Sequence, residues 1–127
     1  MKKEEIKFSV LLVDDSASVR GYLKSILKEV GFTNLFEAEN GLSALECVKK
    51  HGIDLIISDW NMPKMDGLAL VNKIRETHEF SHIKFLMLTT ESEKEKVLLA
   101  IKSSVDGYIV KPFTPISVIT KIKKYIE

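Results

Sequence analysis

At 127 residues the chain has the length of one domain, and with 45% hydrophobic and 29% charged residues it can build a core and is neither disordered nor fibrous in composition. A formal net charge of +1 gives no reason to invoke nucleic acid or a membrane surface as a partner. The lone Cys47 cannot form an internal disulfide, no apolar run approaches the roughly 20 residues of a membrane span, and Met1 to Lys7 lacks the apolar stretch of a secretory signal, so a cytoplasmic location is expected.

Phe8 to Val13 is a nearly continuous apolar run ending at Asp14-Asp15, as expected of a strand buried on both faces. From Ser16, a potential cap, the period changes: Val19, Leu23, Ile26, Leu27 and Val30 alternate with Arg20, Lys24 and Lys28 up to Gly31, which predicts an amphipathic helix. Leu35 to Glu39 predicts a second strand, and Asn40-Gly41 opens a helix with Leu42, Leu45 and Val48 inward. Asp54 to Asp59 repeats the first strand's pattern before Asn61-Met62-Pro63 interrupts regular structure, and Gly67 leads into a helix carrying Leu68, Val71 and Ile74. Ile83 to Leu88 predicts a fourth strand closing on Thr89-Thr90, followed from about Ser92 by a helix with Val97, Ile101 and Val105 inward. Gly107 to Val110 is the fifth strand, ending at Lys111-Pro112, and Thr114-Pro115 starts a last helix with Ile119, Ile122 and Ile126 on one face.

Five strand and helix pairs in alternation predict an α/β fold with a parallel sheet and helices on both faces, in which ligands bind beyond the carboxyl ends of the strands. Asp14, Asp15, Asp59, Thr89 and Lys111 each end a predicted strand, so one crevice collects three carboxylates, a hydroxyl and an ammonium. Crowded carboxylates repel, and one takes up a proton unless a cation neutralises the group. With oxygen donors and neither His nor Cys in the crevice, the hard ion Mg²⁺ is the fitting cation.

These residues resemble the receiver domains of two-component response regulators over the span from about Phe8 to the end, which leaves 1–7 as an N-terminal extension and 8–127 as the receiver. The motifs are Leu11-Leu12-Val13-Asp14-Asp15-Ser16, Ser58-Asp59-Trp60-Asn61-Met62-Pro63-Lys64-Met65-Asp66-Gly67, Leu88-Thr89-Thr90-Glu91 and Tyr108-Ile109-Val110-Lys111-Pro112-Phe113. The resemblance, closest to chemotaxis receivers of the CheY type, implies a doubly wound, flavodoxin-like sheet in the order 2-1-3-4-5, an order that periodicity alone leaves open. It implies that Asp59 accepts a phosphoryl group, that Asp15, Asp59 and the Asn61 backbone carbonyl bind Mg²⁺ directly with Asp14 acting through water, and that Thr89 and Lys111 contact the phosphoryl oxygens. Asn61 and Glu91 would tune hydrolysis, Thr90 would alter access to the phosphoryl group, and Thr89 with Tyr108 would form the switch. Lys111-Pro112 resembles the family's cis peptide.

Further implied are a histidine kinase of the CheA type as donor, a flagellar motor switch protein as target through Ser92, Val97, Tyr108 and Lys121, a phosphatase, and a monomeric state without nucleic acid or membrane. A phosphate sink, a phosphorelay receiver and a receiver excised from a larger protein are alternatives within the same class. An acid-metal phosphotransferase is the alternative from another class, disfavoured because no cap domain or nucleotide loop is present and Asn61 stands where a general acid would be. Taken singly, each motif has an ordinary reading. An Asp-Asp pair is usually a turn or cap, Trp60 a partly exposed loop residue, Cys47 an inert helix residue, His51, His78 and His82 surface histidines, and Lys121, Lys123 and Lys124 a solvated helix face.

Overall fold

The computed structural model describes residues 6–93, 95, 98 and 105–126. Five strands, β1 (Val10–Val13), β2 (Leu35–Ala38), β3 (Leu55–Asp59), β4 (Lys84–Thr90) and β5 (Gly107–Lys111), form one parallel sheet in the order β2-β1-β3-β4-β5. The helices are α1 (Ala17–Val30), α2 (Gly41–Lys50), α3 (Gly67–Glu76) and α4 (Pro115–Ile126), with a short 3-10 turn at His78–Phe80. Glu95 and Leu98 are helical, Val97 and Ile101 lie outside the described residues, and Val105, expected on the same helix, packs on the core from outside any helix.

The apolar runs become strands because both faces of the sheet are covered. Along β1, Val10 and Leu12 join Leu55, Ile57, Leu86, Leu88 and Ile109 against α1 and α4. Leu11 and Val13 join Ile56, Phe85 and Met87 on the opposite face, against α2 and α3. This period of two on a doubly covered sheet explains why neither face reads as polar. Ser16 caps α1 through Val19 N–H, Asn40 caps α2 through Ser43 N–H, and Asp66 caps α3 through Ala69 N–H. At α4, Thr114 and Ser117 exchange hydrogen bonds between side chain and backbone, the reciprocal arrangement that satisfies a helix's first donors.

Two expectations about packing are corrected. Leu42 is exposed, and the inward face of α2 is Gly41, Ala44 and Val48. A Cβ on Gly41 would lie 2.6 Å from Met65 Cγ, so small residues let this helix approach the loop before α3. Trp60 is also buried, at 8% exposure, in the cluster with Leu11, Val13, Leu70 and Val71. Gly67 N–H donates to the Trp60 carbonyl at 2.9 Å, folding the loop back so that the indole enters the core.

Candidate functional site

The strand order reverses direction between β1 and β3, so a crevice opens beyond their carboxyl ends. Asp14 follows β1 directly, and its Oδ1 accepts from Ser16 N–H at 2.9 Å, fixing a turn that leaves the Asp15 side chain exposed. Arg20, one turn into α1, donates to the Asp14 carbonyl at 2.6 Å and to Glu37 at 3.0 Å, while Lys24 reaches Glu37 at 3.2 Å. The bond from Arg20 is the main reason the Glu37 carboxyl titrates below its ordinary range. That network ties the end of β1 to β2.

Asp59 ends β3, and Lys111 ends β5. The Lys111 ammonium reaches between two acids, 3.2 Å from Asp14 Oδ2 and 3.1 Å from Asp59 Oδ1. Asp59 Oδ1 also accepts from Trp60 N–H at 2.9 Å. Burial, and next the charge of Asp14, push the Asp59 carboxyl above its ordinary value against the opposing pull of Lys111. At Lys111 burial acts downward, but its bonds and charge contacts with Asp59 and Asp14 outweigh it and the ammonium is held above the usual lysine value.

Asp14, Asp15 and Asp59 each place a carboxylate oxygen within 4.8 Å of the others. This is a set of hard oxygen donors whose mutual repulsion one ammonium only partly cancels, so the residues fit a divalent ion of the Mg²⁺ kind. Asp15 also borders an open groove shared with Asn61, Met62, Pro63 and Asp66. The loop carrying Asn61 is pinned by the Gly67 bond and by Gly41 N–H donating to the Met65 carbonyl at 2.9 Å. The Lys111-Pro112 peptide is cis.

Gly67 is required by close approach. A Cβ there would lie 2.5 Å from the Asp59 carbonyl oxygen and 2.9 Å from Met87 Sδ. Gly67→Ala is expected to cost about 2 kcal/mol through overpacking. An unchanged melting temperature would contradict this packing.

Thr89 is 1% exposed and its hydroxyl donates to the Thr90 carbonyl at 3.3 Å. In the β4–β5 register Thr90 lies opposite Lys111, which brings both threonines to the same sheet edge as the acids. Tyr108 packs on the core, and Lys121 Nζ lies 5.2 Å from its ring centroid, so these two residues meet on one face. Ser92 instead stands beside Thr90, their hydroxyls 3.1 Å apart, and Val97 is outside the described residues.

Glu91 is exposed, and the carboxylate that reaches Asn61 belongs to Glu93, at 2.6 Å. Glu93 does not stand out among its charged neighbours in the sequence, although Thr90-x-x-Glu93 has the spacing of a helix-capping pair that could have marked it. Cys47 is half-buried on α2, and burial raises its thiol above the ordinary value, which disfavours the thiolate. His51, His78 and His82 are exposed, with His51 stacked on Phe36. Among the described residues no helix is long and apolar enough to cross a membrane.

The family model described as the response regulator receiver domain matches residues 10–123. Chemotaxis protein CheY-3 of Vibrio cholerae is 42% identical over 118 residues, covering 93% of this chain and 91% of that protein. Chemotaxis protein CheY of Pseudomonas aeruginosa is 37% identical, with 93% and 95% covered. The solved structure of chemotaxis response regulator CheY4 of Vibrio cholerae superimposes with a TM-score of 0.86 at 35% identity, covering 94% of this chain and 98% of that one.

Proposed function

This chain belongs to the response regulator receiver family, and we propose that Asp59 takes one phosphoryl group in a Mg²⁺-dependent step that changes which target the protein binds. The observation that carries the reading is the Lys111 ammonium set between Asp14 and Asp59 with Asp15 alongside. Such a centre offers the Asp59 carboxylate as nucleophile and has enough cationic charge, once a metal is present, to hold the product.

Asp14, Asp15, Asp59 and the Asn61 carbonyl would hold the ion. The chemistry that Mg²⁺ supplies when bound is neutralisation of charge on the phosphoryl oxygens. Because Trp60 N–H and Lys111 both donate to Asp59 Oδ1, Oδ2 is the oxygen presented for attack. Oδ2 forms the bond to phosphorus as the bond from phosphorus to the donor's imidazole nitrogen or acetyl oxygen breaks, and the leaving group takes that electron pair. Lys111 then turns from the carboxylate to the phosphoryl oxygens and Thr89 moves to meet them, with Tyr108 following inward. Water attacking the acyl phosphate returns the carboxylate, a step we assign to tuning by Asn61, Glu91 and Thr90. We take residues 8–127 as the unit that does this.

The relatives are named as chemotaxis proteins, which supports a CheA-like histidine kinase as donor and a flagellar motor switch protein as target. The output face would combine Tyr108 and Lys121 with Ser92 and Val97.

The test is intact mass spectrometry after acetyl phosphate with Mg²⁺ or with EDTA. One transient adduct per chain with Mg²⁺ and none with EDTA is expected. Donor turnover far beyond protein equivalents, with no adduct at any time, would favour a phosphotransferase enzyme. Binding of the beryllofluoride-treated protein to a flagellar switch peptide, measured against a histidine phosphotransfer domain, separates motor control from a relay or phosphate sink.

A further inference from the structure

Beyond the acid cluster, one carboxylate joins the two segments on either side of the β3–β4 strand ends. Glu93 Oε2 accepts from Asn61 Nδ2 at 2.6 Å, two residues past Asp59. Glu93 Oε1 accepts from the Thr90 hydroxyl at 3.0 Å and from Thr90 N–H at 3.3 Å, one residue past Thr89. A capping role explains the bond from Thr90 N–H, since a glutamate three residues past a capping residue commonly reaches back to that residue's backbone N–H. It does not explain the shortest bond, to a side chain on a different loop. The bridge crosses the edge where a phosphoryl group on Asp59 would meet Thr89, and Glu93 is near enough to Lys111 to feel its charge.

We propose that Glu93 is a gating residue of the phosphorylation site: its carboxylate ties Asn61 to Thr90 across the mouth of the crevice and repels anionic phosphoryl donors. This rests on Asp59 being the phosphoacceptor. Glu93 touches neither phosphorus nor metal in this scheme. It acts by charge on the approach of the donor and by holding Asn61 and Thr90 together until the donor arrives. The sequence after Thr89 thereby sets how readily small donors charge the protein.

The experiment compares wild type, Glu93→Gln and Glu93→Ala in the rate of adduct formation with the dianion acetyl phosphate and the monoanion phosphoramidate, at low and high salt. Removing one unit charge from a path open to water is expected to raise the acetyl phosphate rate about fivefold at low salt, with a smaller gain for phosphoramidate and a gain that shrinks as salt rises. Glu93→Ala, which also opens the bridge, should gain at least as much. Rates in both variants equal to or below wild type overturn the gate. So does an equal, salt-independent gain with both donors, which is the result of a purely structural cap. Absence of any adduct in the wild type overturns instead the reading of Asp59 on which the gate depends.

Discussion

Asp59→Asn is expected to abolish the Mg²⁺-dependent adduct, lowering the labelling rate by roughly a thousandfold or more, because an amide oxygen is a poor nucleophile. The same substitution is expected to raise the melting temperature of the metal-free protein at neutral pH. The sign follows from the carboxyl's upward shift, caused first by burial and then by Asp14. A carboxyl titrating higher in the folded state than its ordinary value of 3.8 makes the folded protein bind protons more readily than the unfolded one. Wild-type stability therefore falls as pH rises from about that value through the folded-state titration, whereas asparagine has no such dependence. Lys111 loses one partner but keeps Asp14, so its ammonium is not left alone. Thermal scans in EDTA across this range should show the variant's advantage growing with pH and then levelling. An adduct that persists would sink the assignment, and an advantage that is absent at neutral pH would contradict the upward shift of the buried carboxyl.

The parallel core was legible because Val10 to Val13, Leu55 to Ile57 and Phe85 to Leu88 are buried on both faces, and a double-sided strand writes itself as an unbroken apolar run. The convergence of acids was legible for a related reason. In a parallel sheet every strand's last residue faces the same edge, so Asp59, Lys111 and the aspartates after Val13 needed no distances to be grouped. Packing that depends on partners far along the chain was not legible. Trp60 lies among polar loop residues, and its burial arises from a backbone bond to Gly67 and a slot against α3. Leu42 looked inward because a leucine outweighs Gly41 and Ala44 in any apolar count, while the close approach of α2 to Met65 selects the small residues. Glu93 sits in the charged run from Glu91 to Lys96, which reads as a solvated helix start, and only its bond to Asn61 sets it apart. Arg20 was visible as a charge on the outer face of α1, but its hold on the Asp14 carbonyl is a tertiary fact.

Lys111 tests the electrostatics of the crevice most directly. With Asp14 2% and Asp59 13% exposed at their side chains, removing the ammonium leaves two poorly solvated carboxylates facing each other. Breaking one side of a buried ion pair costs about 3 kcal/mol, and Lys111→Ala in EDTA at neutral pH is expected to lose about that much, roughly 10 °C in melting temperature for a chain of this length. Lys111→Met keeps the aliphatic stem, so a similar loss there assigns the effect to charge and not to packing. Two additions should restore stability by the same route. Acid neutralises one carboxylate, so the deficit narrows as pH falls. Mg²⁺ replaces the missing positive charge, so saturating metal should raise the variant's melting temperature more than the wild type's, since ion and ammonium compete for the same pair of oxygens. If Lys111→Met melts with the wild type in EDTA and responds no differently to metal, the bridge does not neutralise the crevice and the proposed transfer of this ammonium to the phosphoryl oxygens loses its driving force.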